Sequence, residues 1–357
     1  MHIKTIRHYQ PIEAPMEDII FLRCEQACEV ARNVKAFKLR ILDISHSTIP
    51  EPGQYISIVF PDCSGIRQQR NYTVIEKPEI DLIVIAVQRT GRGGVSDRLH
   101  ADLKEGVVVG ATGAAGEITP EALIGARELV LLAGGIGITL PYGLIKSLST
   151  LHNASLPVPK TTLFLSAPDV TDIPFLGELL KLDMSTDWFS IRLFITRSPI
   201  RHSTVQFRSG RIQASLLAEH AQPDTVIICG GHSFAQSLHE QCNQVYERAH
   251  YLIESFSAPE TEEITDGRPH PVTLYIEGID KELVMQSDQS LLDGLEAHGI
   301  PIKTQCRTGV CGSCKIRINS GDIHRSADFA LRAAERAAGY ALACCSFPQG
   351  KAVSISL

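Results

Sequence analysis

The sequence predicts a multidomain protein: an antiparallel β-barrel domain, an α/β domain built on a parallel sheet, and a small α+β unit at the carboxyl end. Three observations predict it. From Cys28 to about Glu117 short apolar strands alternate with turn residues. From Glu128 to Glu254 the rhythm becomes apolar strand, glycine turn, helical stretch. The last 52 residues then hold five of the ten cysteines. A chain of 357 residues, at about 100–200 residues per domain, has room for two or three such units.

Charged residues make up 21%, the hydrophobic set 44%, and the formal net charge is -6, which is ordinary for a soluble globular chain. No nucleic-acid partner is expected from that balance. No apolar run approaches the roughly 18 residues of a membrane span, and the stretch after Met1–Arg7 lacks a signal-peptide core, so no membrane partner and a cytoplasmic location are expected. In a reducing compartment, cysteines point to metal or redox chemistry before disulfides.

Strands are predicted at 35–42, 55–60, 71–75, 82–88 and 106–109, spaced as in a small barrel. Strands at 129–133, 162–165, 191–195 and 225–229 alternate with helical stretches at 174–182 and 233–249, the pattern of a parallel sheet covered by helices. The polar stretch Ser257 to His270, with Pro259, Glu260, Glu262, Glu263 and Asp266, reads as a tether. The boundaries that follow are an N-terminal extension at 1–27, the barrel at 28–124, the α/β domain at 125–256, a linker at 257–270 and the last unit at 271–357. Residues 1–27 carry no interpretable motif, and His2, His8 and His46 show no ligand spacing.

Cys306, Cys311 and Cys314 have the spacing C-x4-C-x2-C, and Cys344 follows after 29 residues. Gly309 and Gly312 let this loop curl with its N–H groups inward, so that three thiolates converge around bridging sulfides. That pattern suits a [2Fe-2S] cluster, whereas zinc favours paired C-x2-C knuckles. The fourth ligand is Cys344 or its neighbour Cys345. The segment from about Pro271 to Leu357 resembles the plant-type ferredoxins, which implies a β-grasp fold. Their offset to a proline, here Cys344 four residues before Pro348, selects Cys344. Unlike those acidic proteins, this segment balances nine acidic against nine basic residues. Arg307 and Lys315, flanking the loop, are expected to favour the reduced cluster.

Arg70-Asn-Tyr72-Thr73 supplies a forked cation for a phosphate, a ring for stacking and a hydroxyl able to reach a flavin N5 edge. It matches the R-x-Y-[ST] pattern of the ferredoxin-NADP reductase superfamily. Gly91-Arg-Gly-Gly94-Val95-Ser96-Asp-Arg-Leu-His100 resembles that superfamily's glycine loop and short helix, whose N–H groups take phosphate. Gly53-Gln-Tyr55 resembles its entry to the second barrel strand. The stretch around Gly94–Ser96 with a second loop at Gly113–Gly116 looks more like FAD members, while Gly91–Gly94 is also similar to FMN members. FAD is favoured over FMN.

Leu131-Leu-Ala-Gly134-Gly135-Ile-Gly137-Ile-Thr139 follows a buried-type strand and opens a helix, the setting for a pyrophosphate at a helix N-terminus. Cys229-Gly230-Gly231 resembles the superfamily's C-G-P segment, where the cysteine lies beside the nicotinamide. Glu254 resembles its acidic residue near the isoalloxazine edge, and Gly210-Arg-Ile212 its G-R-[IL] turn. Pro141 stands one residue late and Gly231 replaces the proline. Asp169, after the second sheet strand, suits a free ribose hydroxyl and favours NADH, with Arg197 and Arg201 leaving NADPH open.

From about Cys28 to Leu357 the chain is thus similar to the oxygenase-reductase branch of this superfamily. The resemblance implies hydride transfer from NADH to flavin, single-electron transfer to a [2Fe-2S] cluster held by Cys306, Cys311, Cys314 and Cys344, and delivery to a protein acceptor. A Rieske-type oxygenase, a monooxygenase or demethylase, is the expected partner, with Thr73, Cys229 and Glu254 as catalytic residues. Two alternatives are a reductase of a hybrid cluster protein and an electron bridge fed by a partner subunit.

Overall fold

The computed structural model describes residues 19–43, 49–218, 222–257, 269–326 and 328–357. Contact between residues divides the chain into two compact units. One comprises Met1–Ile124, Tyr142–Leu156 and Thr171–Phe175; the other Gly125–Pro141, Pro157–Val170 and Leu176–Leu357.

The first unit is built on a closed six-stranded barrel of β1 (Ile19–Ala31), β2 (Val34–Ile41), β3 (Tyr55–Pro61), β4 (Arg67–Glu79), β5 (Leu82–Gln88) and β6 (Val108–Ala115). Its order is β1-β2-β5-β4-β3-β6, antiparallel throughout, with β1 paired to β6. Period-2 alternation points Leu22, Phe37, Leu39, Ile56, Ile58, Val74, Ile83 and Ile85 inward. Helix α1 (Val95–Asp102) follows β5 and seals the barrel with Val95 and Leu99.

The expected boundary at residue 28 is corrected here, because the barrel begins at Ile19. Ile20, Leu22 and Cys24 are buried between β2 and β6, and Phe21 and Arg23 face out. The register slips between Cys24 and Gln26, a bulge that breaks the alternation by which a strand is recognised. The last strand is also displaced, to 108–115 instead of 106–109.

The second unit carries a parallel sheet of β7 (Glu128–Gly134), β8 (Lys160–Ala167), β9 (Phe189–Ile195), β10 (Phe207–Ser209), β11 (Thr225–Gly230) and β12 (His250–Ser255), in the order β10-β9-β8-β7-β11-β12. Leu129 to Ala133 and Val226 to Cys229 are fully buried, as central parallel strands must be when both faces are covered. Helices α2 (Thr139–Asn153), α3 (Leu176–Ser185), α4 (Ala214–Ala218) and α5 (His232–Val245) are the connections. Pro141 sits in the first turn of α2, where its missing N–H costs no helical bond.

The same unit ends in a five-stranded mixed sheet ordered β14-β13-β19-β15-β17. Its strands are β13 (Pro271–Glu277), β14 (Lys281–Gln286), β15 (Lys315–Ser320), β17 (Tyr340–Leu342) and β19 (Ala352–Ser356), and β16 (Ile323–Arg325) pairs separately with β18 (Ser346–Pro348). Only β13 and β19 run parallel. Helix α6 (Leu291–Ala297) buries Leu291, Leu292 and Leu295 against this sheet, and Ser290 caps it by accepting from Asp293 N at 3.1 Å. A short helix, α7 (Ala333–Ala337), precedes β17.

Most of the expected linker, 258–268, and His2, His8 and His46 lie outside the described residues. At its margins, Ser257 accepts from His232 N at 2.9 Å and His270 donates from N to Ser287 Oγ at 3.2 Å. No helix among the described residues is long and apolar enough to cross a membrane.

The barrel needs β1 for closure. Leu22→Ala is therefore expected to lower the stability of the chain by about 2–5 kcal/mol, read as a lower denaturant midpoint; an unchanged midpoint would place residues 19–27 outside the barrel.

Candidate functional site

In the barrel unit, Arg70, Tyr72 and Thr73 lie together on β4 opposite Ile58, Ile56 and Tyr55 of β3. Arg70 is exposed, its guanidinium donating to Gln69 O at 2.7 Å and Gln68 Oε1 at 2.5 Å, while Tyr72 and Thr73 are buried. Burial pushes the Tyr72 phenol up to about 12, so it is neutral at pH 7, and its hydroxyl meets Ser96 Oγ at 3.0 Å. Gly94, Val95 and Ser96 form the start of α1, whose N-cap carries no side-chain bond. Tyr72 thus belongs to the buried apolar core of the barrel and reaches the first turn of α1 through its hydroxyl, while Arg70 stands exposed on the same strand.

One residue that sequence reasoning passed over shapes this loop. The Asp97 carboxylate accepts from Thr90 N at 2.6 Å, Gly91 N at 3.0 Å and Gly93 N at 2.6 Å. Burial raises its pKa, but the bonds from Gly91, Gly93 and Thr90 outweigh that and hold it below the usual carboxylate range. Asp97 thus spends its charge on the turn before the helix and leaves the helix start open. Its only sequence signal is an acid in the first helical turn. The expected second loop is corrected: residues 113–115 belong to β6, and only Gly116 lies beyond the strand.

In the second unit, the chain leaves β7 toward β8 on one side and returns as β11 on the other, so the carboxyl ends of β7 and β11 flank the point where the strand order reverses. Open α/β sheets bind ligands in that crevice. Gly134 ends β7, Gly135 and Gly137 lie in a single 3-10 turn, and Thr139 opens α2 with its hydroxyl donating to Ile136 O at 3.1 Å. A Cβ on Gly137 would lie 2.2 Å from Cys229 O, so the two loops touch at a distance only glycine permits. Phe234 of α5 lies against both Gly134 and Gly230, whose added Cβ atoms would meet its ring at 3.0 and 2.6 Å.

Cys229 pairs in register with Ala133 of β7 and Glu254 of β12. The thiol is fully buried, and burial, reinforced by Glu254, pushes it well above its ordinary value. Glu254 is itself buried, its Oε2 without a hydrogen-bond partner. Burial first, then the nearby Cys306, raises it to about 8, so it is largely protonated at neutral pH. Glu254 is thus no solvated linker residue but a neutral acid beside a thiol. Asp169 lies just past β8 and accepts from Ser198 Oγ.

Of the four expected cluster cysteines, Cys314 and Cys344 lie against each other, Sγ to Sγ at 3.3 Å, and the neighbouring Cys306 and Ser313 draw the Cys311 thiol below its ordinary range. Gly309 and Gly312 adopt φ of 81° and 71°, and the loop also bends at Arg307, φ 61°. Thr308 N points at Cys306 Sγ, 3.4 Å away. Cys345 is fully buried against Cys344 at 3.6 Å. Among the described residues no three His, Cys, Asp or Glu side chains are placed to hold one ion. Cys306, Cys311 and Cys314 lie on one curled loop, and Cys344 reaches Cys314 from the 3-10 turn Ala343–Cys345. Arg307 pairs with Glu296 at 2.6 Å and Lys315 with Glu335 at 2.8 Å.

The family profile described as the 2Fe-2S iron-sulfur cluster binding domain matches residues 274–349. The chain is 30% identical over 274 residues to the phthalate 4,5-dioxygenase oxygenase reductase subunit of Pseudomonas putida, covering 75% of this chain and 76% of that one. It is 28% identical over 289 residues to the NADH oxidoreductase HCR of Escherichia coli (strain K12), covering 80% and 83%. Its fold is similar to that of phthalate dioxygenase reductase, with a TM-score of 0.63 at 21% identity, covering 95% of this chain and 98% of that one.

Asp97→Ala is expected to free the N–H groups of Thr90, Gly91 and Gly93 and to weaken flavin retention about tenfold or more, since a lost charged acceptor costs about 1–3 kcal/mol. The ratio of flavin to protein absorbance after dialysis checks it. Because the carboxylate's pKa is lowered by folding, its contribution is complete above about 3.8, the unfolded value, and lost as pH falls through the folded one.

Proposed function

We propose, from the premise that this chain belongs to the oxygenase-reductase branch of the ferredoxin-NADP reductase superfamily, that it is the NADH-dependent reductase component of a Rieske-type oxygenase, a monooxygenase or demethylase. It is an NAD(P)H-dependent oxidoreductase with flavin, nicotinamide and [2Fe-2S] chemistry. The observation that carries the reading is the coexistence in one chain of a parallel-sheet crevice lined by Gly137 and Cys229 and a curled loop bearing Cys306, Cys311 and Cys314, the last of them 3.3 Å from Cys344. Residues exist both to receive electrons in pairs and to pass them on singly.

A bound flavin would supply both two-electron and one-electron chemistry, and a bound [2Fe-2S] cluster one-electron chemistry. The chain's own residues prepare that chemistry. Arg70 and the open start of α1 hold the flavin phosphate, Tyr72 stacks, and Thr73 stands one position along the strand to reach the N5 edge. FAD is the preferred flavin.

Gly134, Gly135 and Gly137 admit the dinucleotide backbone, Thr139 opens the helix behind it, and Asp169 accepts from a free ribose hydroxyl, which favours NADH over NADPH. Cys229 and Gly230 line the nicotinamide position. Glu254, neutral and buried, keeps negative charge away from the arriving hydride and can give or take a proton. Cys306, Cys311, Cys314 and Cys344 hold the cluster, and the electron leaves to a partner protein in the cytoplasm.

Anaerobic mixing with NADH is expected to bleach the flavin absorbance before the cluster's, whereas a yellow protein that stays oxidised would move the electron source to a partner subunit. Cys311→Ser is expected to leave NADH-driven dye reduction within about twofold of the parent while abolishing cytochrome c reduction, because only the single-electron step needs the intact cluster. Equal loss of both activities would contradict that division.

A further inference from the structure

The cluster-bearing sheet and the nicotinamide-type sheet belong to one compact unit, and a small set of side chains joins them. Phe329, from the cluster side, packs on the hydrophobic core of the parallel-sheet domain. Its ring lies between two histidines of α5, 5.7 Å from His232 and 5.8 Å from His239, edge-on to the latter. His232 is buried, and its Nε2 meets Ser326 Oγ at 2.9 Å.

Each side of this contact is stiffened where it joins its own site. On the cluster side Ala330 N donates to Gly309 O at 3.0 Å, inside the cysteine loop, and Ser326 N donates to Cys345 O at 2.9 Å, next to Cys344. Arg336 clamps Asp328 through both carboxylate and carbonyl, at 2.8 and 3.0 Å. On the other side His232 is the first residue of α5, three residues after Cys229, and its N–H is held by Ser257 Oγ at 2.9 Å. The contact between the cluster-bearing segment and α5 is therefore made of three rings, Phe329, His232 and His239, and one hydrogen bond, between Ser326 Oγ and His232 Nε2.

We propose that Phe329 and Ser326, received by His232 and His239, form a latch that positions the cluster domain on the nicotinamide domain, so that electron delivery to the cluster depends on it and hydride uptake from NADH does not. The proposal rests on the reductase reading above. Its physical basis is that neighbouring domains of one chain move relative to one another unless an interface holds them. An aromatic anchor often carries such an interface, and Phe329, half-buried, packs on the core of the parallel-sheet domain. Phe329 and the histidines act through position and touch no reacting atom.

The test is anaerobic stopped-flow of the full-length holoprotein with NADH, following flavin bleaching and cluster reduction separately, with iron content and the reduced cluster's EPR spectrum as controls. Phe329→Ala is expected to keep the flavin phase within about twofold, to keep the EPR spectrum and iron content, and to slow cluster reduction about tenfold or more; Phe329→Leu is expected to restore it. His239→Ala, on the opposite side of the contact and outside the cysteine loop, is expected to give the same split even if Phe329→Ala fails to load its cluster. Cluster reduction within twofold of the parent in both alanine variants overturns the latch, as does a parallel fall of both phases. A parent protein that neither bleaches with NADH nor shows a [2Fe-2S] signal instead removes the reductase reading, so the two failures are separate.

Discussion

The pairing of β7 with β11 is the constraint on which the second unit depends. It opens the crevice at the carboxyl ends of those strands, because the chain turns one way after β7 and enters from the other side at β11. It also forces Gly137 onto the Cys229 carbonyl, where no side chain fits. Once that contact is made, Cys229 stands beside Glu254 on β12, and α5 starts at His232, within reach of the cluster-bearing segment. Crevice, buried acid and domain contact are three consequences of one strand order.

Burial then sets the chemistry of the groups placed there. Glu254 Oε2 meets no hydrogen-bond partner among the described residues, and burial holds the proton on the acid. The thiol beside it stays protonated for the same reason. Around the cysteine loop the opposite arrangement holds, with Arg307, Lys315 and Arg336 each engaged by a carboxylate. Asp97 follows a third pattern, a buried carboxylate satisfied by backbone N–H groups of the turn before α1.

Much of this was legible before folding. The spacing of Cys306, Cys311, Cys314 and Cys344, the R-x-Y-T run on β4 and the glycine turn after β7 are local patterns, and local chemistry demands them. Strand β1 was not legible, because a bulge at Cys24–Gln26 breaks its alternation and its partners lie far along the chain. The carboxylate partners of Arg307 and Lys315, Glu296 and Glu335, are not legible in the local pattern, because the fold brings them near.

By itself the sequence determined which chemical groups are available and in what order: thiolates on a glycine loop, a strand with a cation and a ring, glycines where a backbone must approach a ligand. These follow from neighbours a few residues apart, whose geometry the covalent chain already restricts. Only the tertiary structure decided that Cys229 meets Glu254, that Asp97 curls its own loop, and that Phe329 inserts between two histidines some 90 residues away. Those are long-range contacts, set by strand order and burial, and no local pattern in the chain encodes them.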